Sequence, residues 1–318
     1  MSGFTITAGV SFSGGFTFTE APVASENTAA WFGGAYARST VDRITYATDT
    51  ATASVRGPLS GARYNLAAAG NSYDGWFGGG SPGPLSTVNR ITYATDTATA
   101  SVRGPLSSAR TTLAAAGNTT DGWFGGGGAS PGPLSTVERI TYVTDTATAS
   151  VRGPLSSARY AFAAAGNTTD GWFAGGQFFT GNYTPAAIRS TVDRITYATD
   201  TATASTRGPL SEARSSLGAA GNTTNGWFGG GFVPGAVSRV DRITYATDTV
   251  TASVRGPRSQ AKFGLAAAGN TTDGWFGGGY TSNSIVDRIT YATDTATASV
   301  RGPLSLARFY LAAAGGIQ

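Results

Sequence analysis

The chain has no cysteine and no histidine in 318 residues, and a single methionine. Without cysteine there are no disulfides, iron–sulfur clusters, thiolate zinc sites or thiol nucleophiles, and the redox compartment is left undetermined. Without histidine there is no imidazole metal site and no histidine acid–base catalysis. No run of eighteen apolar residues occurs, so no transmembrane helix and no membrane insertion are expected. The first twenty residues have neither a basic nor an apolar leader segment, so no ordinary signal peptide is expected either. Helical periodicity is missing as well.

What the chain has is a repeat. An Arg-Ile-Thr-Tyr core starts at Arg43, Arg90, Arg139, Arg194, Arg242 and Arg288. After each of the first five, Trp-Phe follows 33 residues later, at Trp76, Trp123, Trp172, Trp227 and Trp275. The return from each Trp to the next Arg varies: 12, 14, 16, 22, 15 and 13 residues, counted from Trp31. A fixed segment thus alternates with a variable one. A repeat of this length indicates a propeller or a solenoid.

Within one unit, residues 62–103, four short strands are expected. They are Ala62 to Gly70; Trp76 to Gly80, after a turn cluster ending in Asp74-Gly75, a step that favours positive φ and a hairpin; Val88 to Thr95; and Ala98 to Arg103, stopped by Gly104-Pro105. Four strands repeated six times predict an all-β, six-bladed propeller of four-stranded blades. Ala-Ala-Ala-Gly is small enough for the innermost strand near a crowded axis. Trp-Phe puts two large rings on opposite faces of one strand, and both faces are covered only where a blade lies between neighbours. The first unit lacks an Ala-Ala-Ala-Gly strand before Trp31, and the last such strand, Ala312 to Gly315, has no Trp-Phe after it. The C-terminal strand is therefore expected to complete the N-terminal blade and close the ring, which removes exposed sheet edges.

The net charge of +4 is no nucleic-acid footprint. Most charges repeat with the unit and should form rings of structural pairs rather than one cationic patch. The glycine runs are not followed by a helix or by Lys-Ser/Thr, so they are not phosphate loops. Asn118 to Gly122 lacks the ligand count of a calcium loop. No metal and no cofactor are expected.

The unit resembles the kelch repeat. Arg63 precedes Leu66-Ala67-Ala68-Ala69; Trp76-Phe77-Gly78-Gly79 stands at the double-glycine strand; Ile91 to Thr97 stands at the family's Tyr-Asp-Pro position, with Tyr93 on the tyrosine; Gly104-Pro105-Leu106 matches the proline-rich stretch. The match covers residues 31 to 316. It departs from the family pattern in two places: Ser-Val replaces the late-strand Trp, and the histidine of the small strand is missing. The resemblance implies the propeller fold and leaves function open. The uniform Ala/Thr/Gly-rich repeats are also similar to kelch-like proteins of marine tailed phages.

Function is expected in the variable segments, residues 35–40, 80–87, 127–136, 176–191, 231–239 and 279–285, which should all emerge on one face. The candidate binding residues there are Tyr36, Phe178, Phe179, Tyr183, Arg189, Phe232 and Tyr280. Residues 1–29 precede the propeller of residues 30–318 and read as a β-arm. Its alternating Phe4, Ile6, Val10, Phe12, Phe16 and Phe18 should pack on something: this propeller, another copy, or a host assembly by strand addition, with attachment as the preferred reading. The expected role is a non-enzymatic structural or recognition component, with a phage virion (tail, fibre or surface decoration) as the preferred setting. Its partners would be other virion proteins or copies of itself through the arm, and a host surface glycan or protein at the loops. The alternatives are a cellular kelch-type interaction scaffold or a glycan-binding propeller, extracellular or cytoplasmic. A carboxylate-based hydrolase would need acids in the variable loops, and these contain none.

Overall fold

A computed structural model describes residues 28–178, 187–280 and 283–315. Six four-stranded antiparallel sheets stand in a ring. Blade II shows the pattern: Ala67–Gly70 innermost, then Asp74–Gly78, Val88–Thr92 and the outer Ser101–Arg103. Blades III to VI follow in chain order. Blade I is completed from both ends of the chain: Ala312–Gly315 pairs with Ala29–Ala35, in register from Ala30↔Gly315 to Gly33↔Ala312. The expected closure is therefore the observed one.

Two local expectations are corrected. The third strand ends at Thr92, and Tyr93–Thr95 forms a 3-10 turn, repeated in every blade. The tyrosine thus leaves the pleat and can lie flat against the neighbouring blade. The Asp-Gly step is not a positive-φ turn either, because Asp74 and Gly75 already belong to the second strand. The turn before it is made by Asn71, whose side-chain oxygen accepts from the amides of Tyr73 (2.8 Å) and Asp74 (3.0 Å). The glycine has another reason: a Cβ at Gly75 would sit 2.9 Å from both the Tyr93 hydroxyl and Ala314 Cβ.

The core is a set of layers between blades. Both rings of each Trp-Phe pair are buried, as at Trp76 and Phe77. The Trp of each blade stacks on the 3-10 Tyr of the next: Trp31 on Tyr93, Trp76 on Tyr142, Trp123 on Tyr197, Trp172 on Tyr245, Trp227 on Tyr291 and Trp275 on Tyr46. Centroids are 3.6–3.9 Å apart. The same indoles donate to the aspartate of the next blade's Thr-Asp-Thr turn, at 2.8–2.9 Å. Two arginines from the Trp's own blade grip the same carboxylate, as Arg90 and Arg103 do on Asp145 at 3.0 and 3.5 Å. Six aspartates thus hold twelve arginines, one node per junction, and the expected rings of structural charge are present. Stacking adds about 0.5–1.5 kcal/mol per junction beyond the area buried.

A second buried pair sits within blades I to V, between the arginine before the small strand and the residue before Arg-Ile-Thr. Arg308–Asp42 (2.6 Å), Arg159–Asp193 and Arg214–Asp241 (both 3.1 Å) are examples, and Arg110 pairs with Glu138.

Candidate functional face

The second-to-third-strand connections of all blades emerge at one end of the ring, beside the approaches to the innermost strands. Backbone pairing explains how. In five units the residue after the buried arginine, or after Lys262 in blade VI, forms an isolated antiparallel bridge with the second residue of the variable segment: Tyr64 with Ser81, Thr111 with Gly128, Tyr160 with Gln177, Ser215 with Phe232, Phe263 with Tyr280. One further residue along, the backbone turns left-handed in every unit: Asn65 (φ 56), Thr112 (55), Ala161 (56), Ser216 (53), Gly264 (65) and Tyr310 (56). Five of these six are not glycine, and each such turn costs on the order of 1–2 kcal/mol. The strain is held by hydrogen bonds. Asn65 N–H donates to Tyr310 O, Thr112 to Asn65, Ala161 to Thr112, Ser216 to Ala161, Gly264 to Ser216 and Tyr310 to Gly264, at 2.6–2.9 Å. Six amides form a closed ring around the axis.

These two positions per unit differ from blade to blade inside an otherwise constant segment, and sequence reasoning counted them as scaffold. The signal was available: Arg63-Tyr64-Asn65-Leu66 becomes Thr111-Thr112, Tyr160-Ala161, Ser215-Ser216, Phe263-Gly264 and Phe309-Tyr310 in the other units.

The structure brings Tyr36, Phe232 and Tyr280 together with four aromatics from these positions. Tyr64 lies 5.1 Å from Tyr36, and Tyr36 lies 6.3 Å from Phe309. Phe309 contacts Tyr310 (5.1 Å) and Tyr280 (5.4 Å). Phe263 contacts Tyr280 (4.9 Å), Tyr310 (6.5 Å) and Phe232 (5.3 Å). Seven rings form a continuous arc over blades V, VI, I and II. Tyr36 is 60% exposed, Tyr280 45% and Phe232 36%, while the other four are half-buried. Burial raises the Tyr310 hydroxyl pKa, with Tyr280 beside it adding to the shift.

Phe178 and Arg189 stand apart from the arc on blade IV, where the short strands Gln177–Phe178 and Ala187–Ile188 pair. The Arg189 guanidinium lies 4.1 Å from the Phe178 ring centroid, a cation–π contact. Phe179, Tyr183 and the arm residues Phe4, Ile6, Val10, Phe12, Phe16 and Phe18 lie outside the described residues.

Charge on this face is one-sided. Arg239 and Glu212 neutralise each other at 3.4 Å. Arg38, Arg189 and Lys262 have no carboxylate within ion-pair distance among the described residues. A hollow of about 200 Å³ lies between Tyr36, Arg38 and Phe309, floored by Ala307 and Arg308. The far end of the axis is a neutral depression of about 110 Å³ lined by alanines, glycines and asparagines.

A scan against family models finds no match to the chain, and a search of curated proteins finds none. The fold therefore stands on the six sheets and their closure. No helix among the described residues is long and apolar enough to cross a membrane.

Proposed function

We propose that the chain is a kelch-type propeller acting as a non-enzymatic recognition module that docks its partner on the aromatic arc. The observation that carries this is the placement of exposed rings. Three exposed rings and the four half-buried ones beside them come from four blades and occupy the positions that vary while the scaffold stays constant. An aromatic patch of this extent on an open face marks an interaction site.

The topology also separates the two ends of the module. The chain enters at Thr28, whose carbonyl accepts from Tyr46 N–H, and leaves by Gly315, paired with Ala30; both lie on the face opposite the arc. Ala29 already belongs to the first strand of blade I, so an attachment arm would be residues 1–27, and it would hold the propeller with its arc pointing away. A phage virion component is the setting this arrangement suits, supported by the Ala/Thr/Gly-rich repeats and the alternation of the arm. Light scattering of the full chain beside a version starting at Asn27 tests it. Oligomerisation lost on truncation supports an assembly arm, and identical monomers remove it.

The arc itself is tested by stability. Replacing Tyr36, the most exposed ring at 60%, with serine should lower the melting temperature by no more than about 3 °C, because most of the ring stays in water. If the ring is core, its loss removes about 3–5 kcal/mol and the melt falls by roughly 6 °C or more. That result would end the recognition reading.

A further inference from the structure

The chemistry of the arc narrows what it takes, given the recognition reading above. We propose that it binds an acidic polysaccharide whose sugar rings carry carboxylates, a uronate chain, with the hollow between Tyr36 and Phe309 as its primary subsite and Arg38 as the anion contact.

Three observations point there. First, Tyr36 and Phe309 are nearly parallel, 6° between planes, and open onto a hollow of about 200 Å³ with Arg38 at its side. Aromatic faces stack on flat ring faces, and Arg presents a planar fork that matches a carboxylate. Second, Arg38, Arg189 and Lys262 on this face have no carboxylate partner among the described residues, whereas Arg239 is paired with Glu212 and the other arginines are engaged in the junction nodes and within the blades. The variable loops supply no carboxylate to accept from neutral sugar hydroxyls. Arg38, Arg189 and Lys262 are spread over blades I, IV and VI rather than clustered, which suits one charge per sugar ring more than a densely sulfated chain. Third, a peptide strand has little to pair with here. The loop edges nearest the axis are already bridged, as Phe263 is with Tyr280 and Tyr64 with Ser81. Peptide recognition works through free strand edges or pockets for alternate side chains.

The test is isothermal titration of the full chain with oligogalacturonate, maltohexaose, dextran sulfate and hexaglutamate, at low and raised salt. Oligogalacturonate should bind, more weakly as salt rises. Tyr36→Ala and Arg38→Gln should each weaken it by about tenfold with unchanged melting temperature. Val143→Thr, on the opposite face, should leave it unchanged. Hexaglutamate binding as tightly overturns the sugar assignment and leaves the recognition face standing. Equal binding of maltohexaose, indifferent to Arg38→Gln, overturns the acidic assignment, and tighter binding of dextran sulfate overturns the uronate. If no probe binds, the glycan proposal is wrong, while the recognition reading is judged separately by the melting of the Tyr36→Ser variant.

Discussion

At the residue scale, blade VI shows how the buried charges are tied to one another. The other five described blades place leucine two residues after the Gly-Pro glycine and arginine four further on, as at Leu59 and Arg63. Blade VI has Arg258 at the leucine position and Lys262 at the arginine position. Arg258, 2% exposed, reaches the buried Asp287 at 3.2 Å, so the cation arrives from a different place. Arg258→Leu alone should strand the Asp287 carboxylate and cost roughly 3–5 kcal/mol. Arg258→Leu with Lys262→Arg rebuilds the pair found in the other blades and should recover most of that. Urea denaturation of the four-member cycle decides it, and purely additive losses would contradict the exchange. Blade II takes another route: Asn89 faces Arg63 at 2.8 Å, and burial without a carboxylate lowers the Arg63 pKa to about 10.

At the element scale, the junction explains the glycine of each Arg-Gly-Pro. The Gly57 amide donates to the Asp96 carbonyl across the junction at 2.8 Å, and a Cβ there would overlap the Ala98 carbonyl oxygen. Gly57→Ala must push two blades apart and should cost several kcal/mol. Gly61→Ala, with nothing within 4 Å of its Cβ, should be neutral in the same urea titration. A Gly57→Ala variant as stable as wild type would show that the junction can slide. This junction also marks the limit of what the sequence revealed. The strands, the innermost Ala-Ala-Ala-Gly and the closing role of Ala312–Gly315 followed from composition and spacing, because each is set within one blade. The Trp-to-Tyr stacks and the shared aspartates did not, because they join residues of neighbouring blades whose meeting depends on the angle between blades, and the 3-10 turns did not because Tyr-Ala-Thr continues the β-rich pattern of the strand before it. The residues of the aromatic arc were legible only in part for a similar reason. Tyr36, Phe232 and Tyr280 stood out in variable loops, whereas Tyr64, Phe263, Phe309 and Tyr310 are hidden in the constant segment. Only the topology shows that they share a surface.

At the scale of the whole molecule, alkaline pH should unfold the ring. Burial raises the pKa of Tyr93, Tyr142, Tyr197, Tyr245 and Tyr291 above the ordinary value of 10. Above pH 10 the unfolded chain ionises these tyrosines and the folded one does not, so stability present below pH 10 is lost as pH rises, by about 1.4 kcal/mol per pH unit for each. Arg63 works the other way: from about pH 10 the folded state releases its proton while the unfolded state keeps it, and that gains stability. The remaining buried arginines are lowered too, but Arg110, Arg159, Arg214, Arg258 and Arg308 each face a carboxylate that opposes the shift. Five tyrosines outweigh Arg63. The urea midpoint should hold to pH 9 and fall steeply beyond pH 10, and these tyrosines should ionise in one cooperative step with unfolding when followed at 295 nm. Smooth ionisation of every tyrosine before the unfolding transition would contradict the stacked junctions.

The hydrogen-bonded circle of left-handed residues gives the molecule an unusual kind of inheritance. Each unit contributes one link of the same handedness, and each link tolerates asparagine, threonine, alanine, serine, glycine or tyrosine. Because the flanking sequences are nearly identical, genetic recombination between units of equal length would move surface residues from one blade to another and leave the circle intact. An unequal crossover would add or delete a whole sector and force every angle in the ring to change. The fold thus permits shuffling of its surface residues while fixing the number of places in which they can stand.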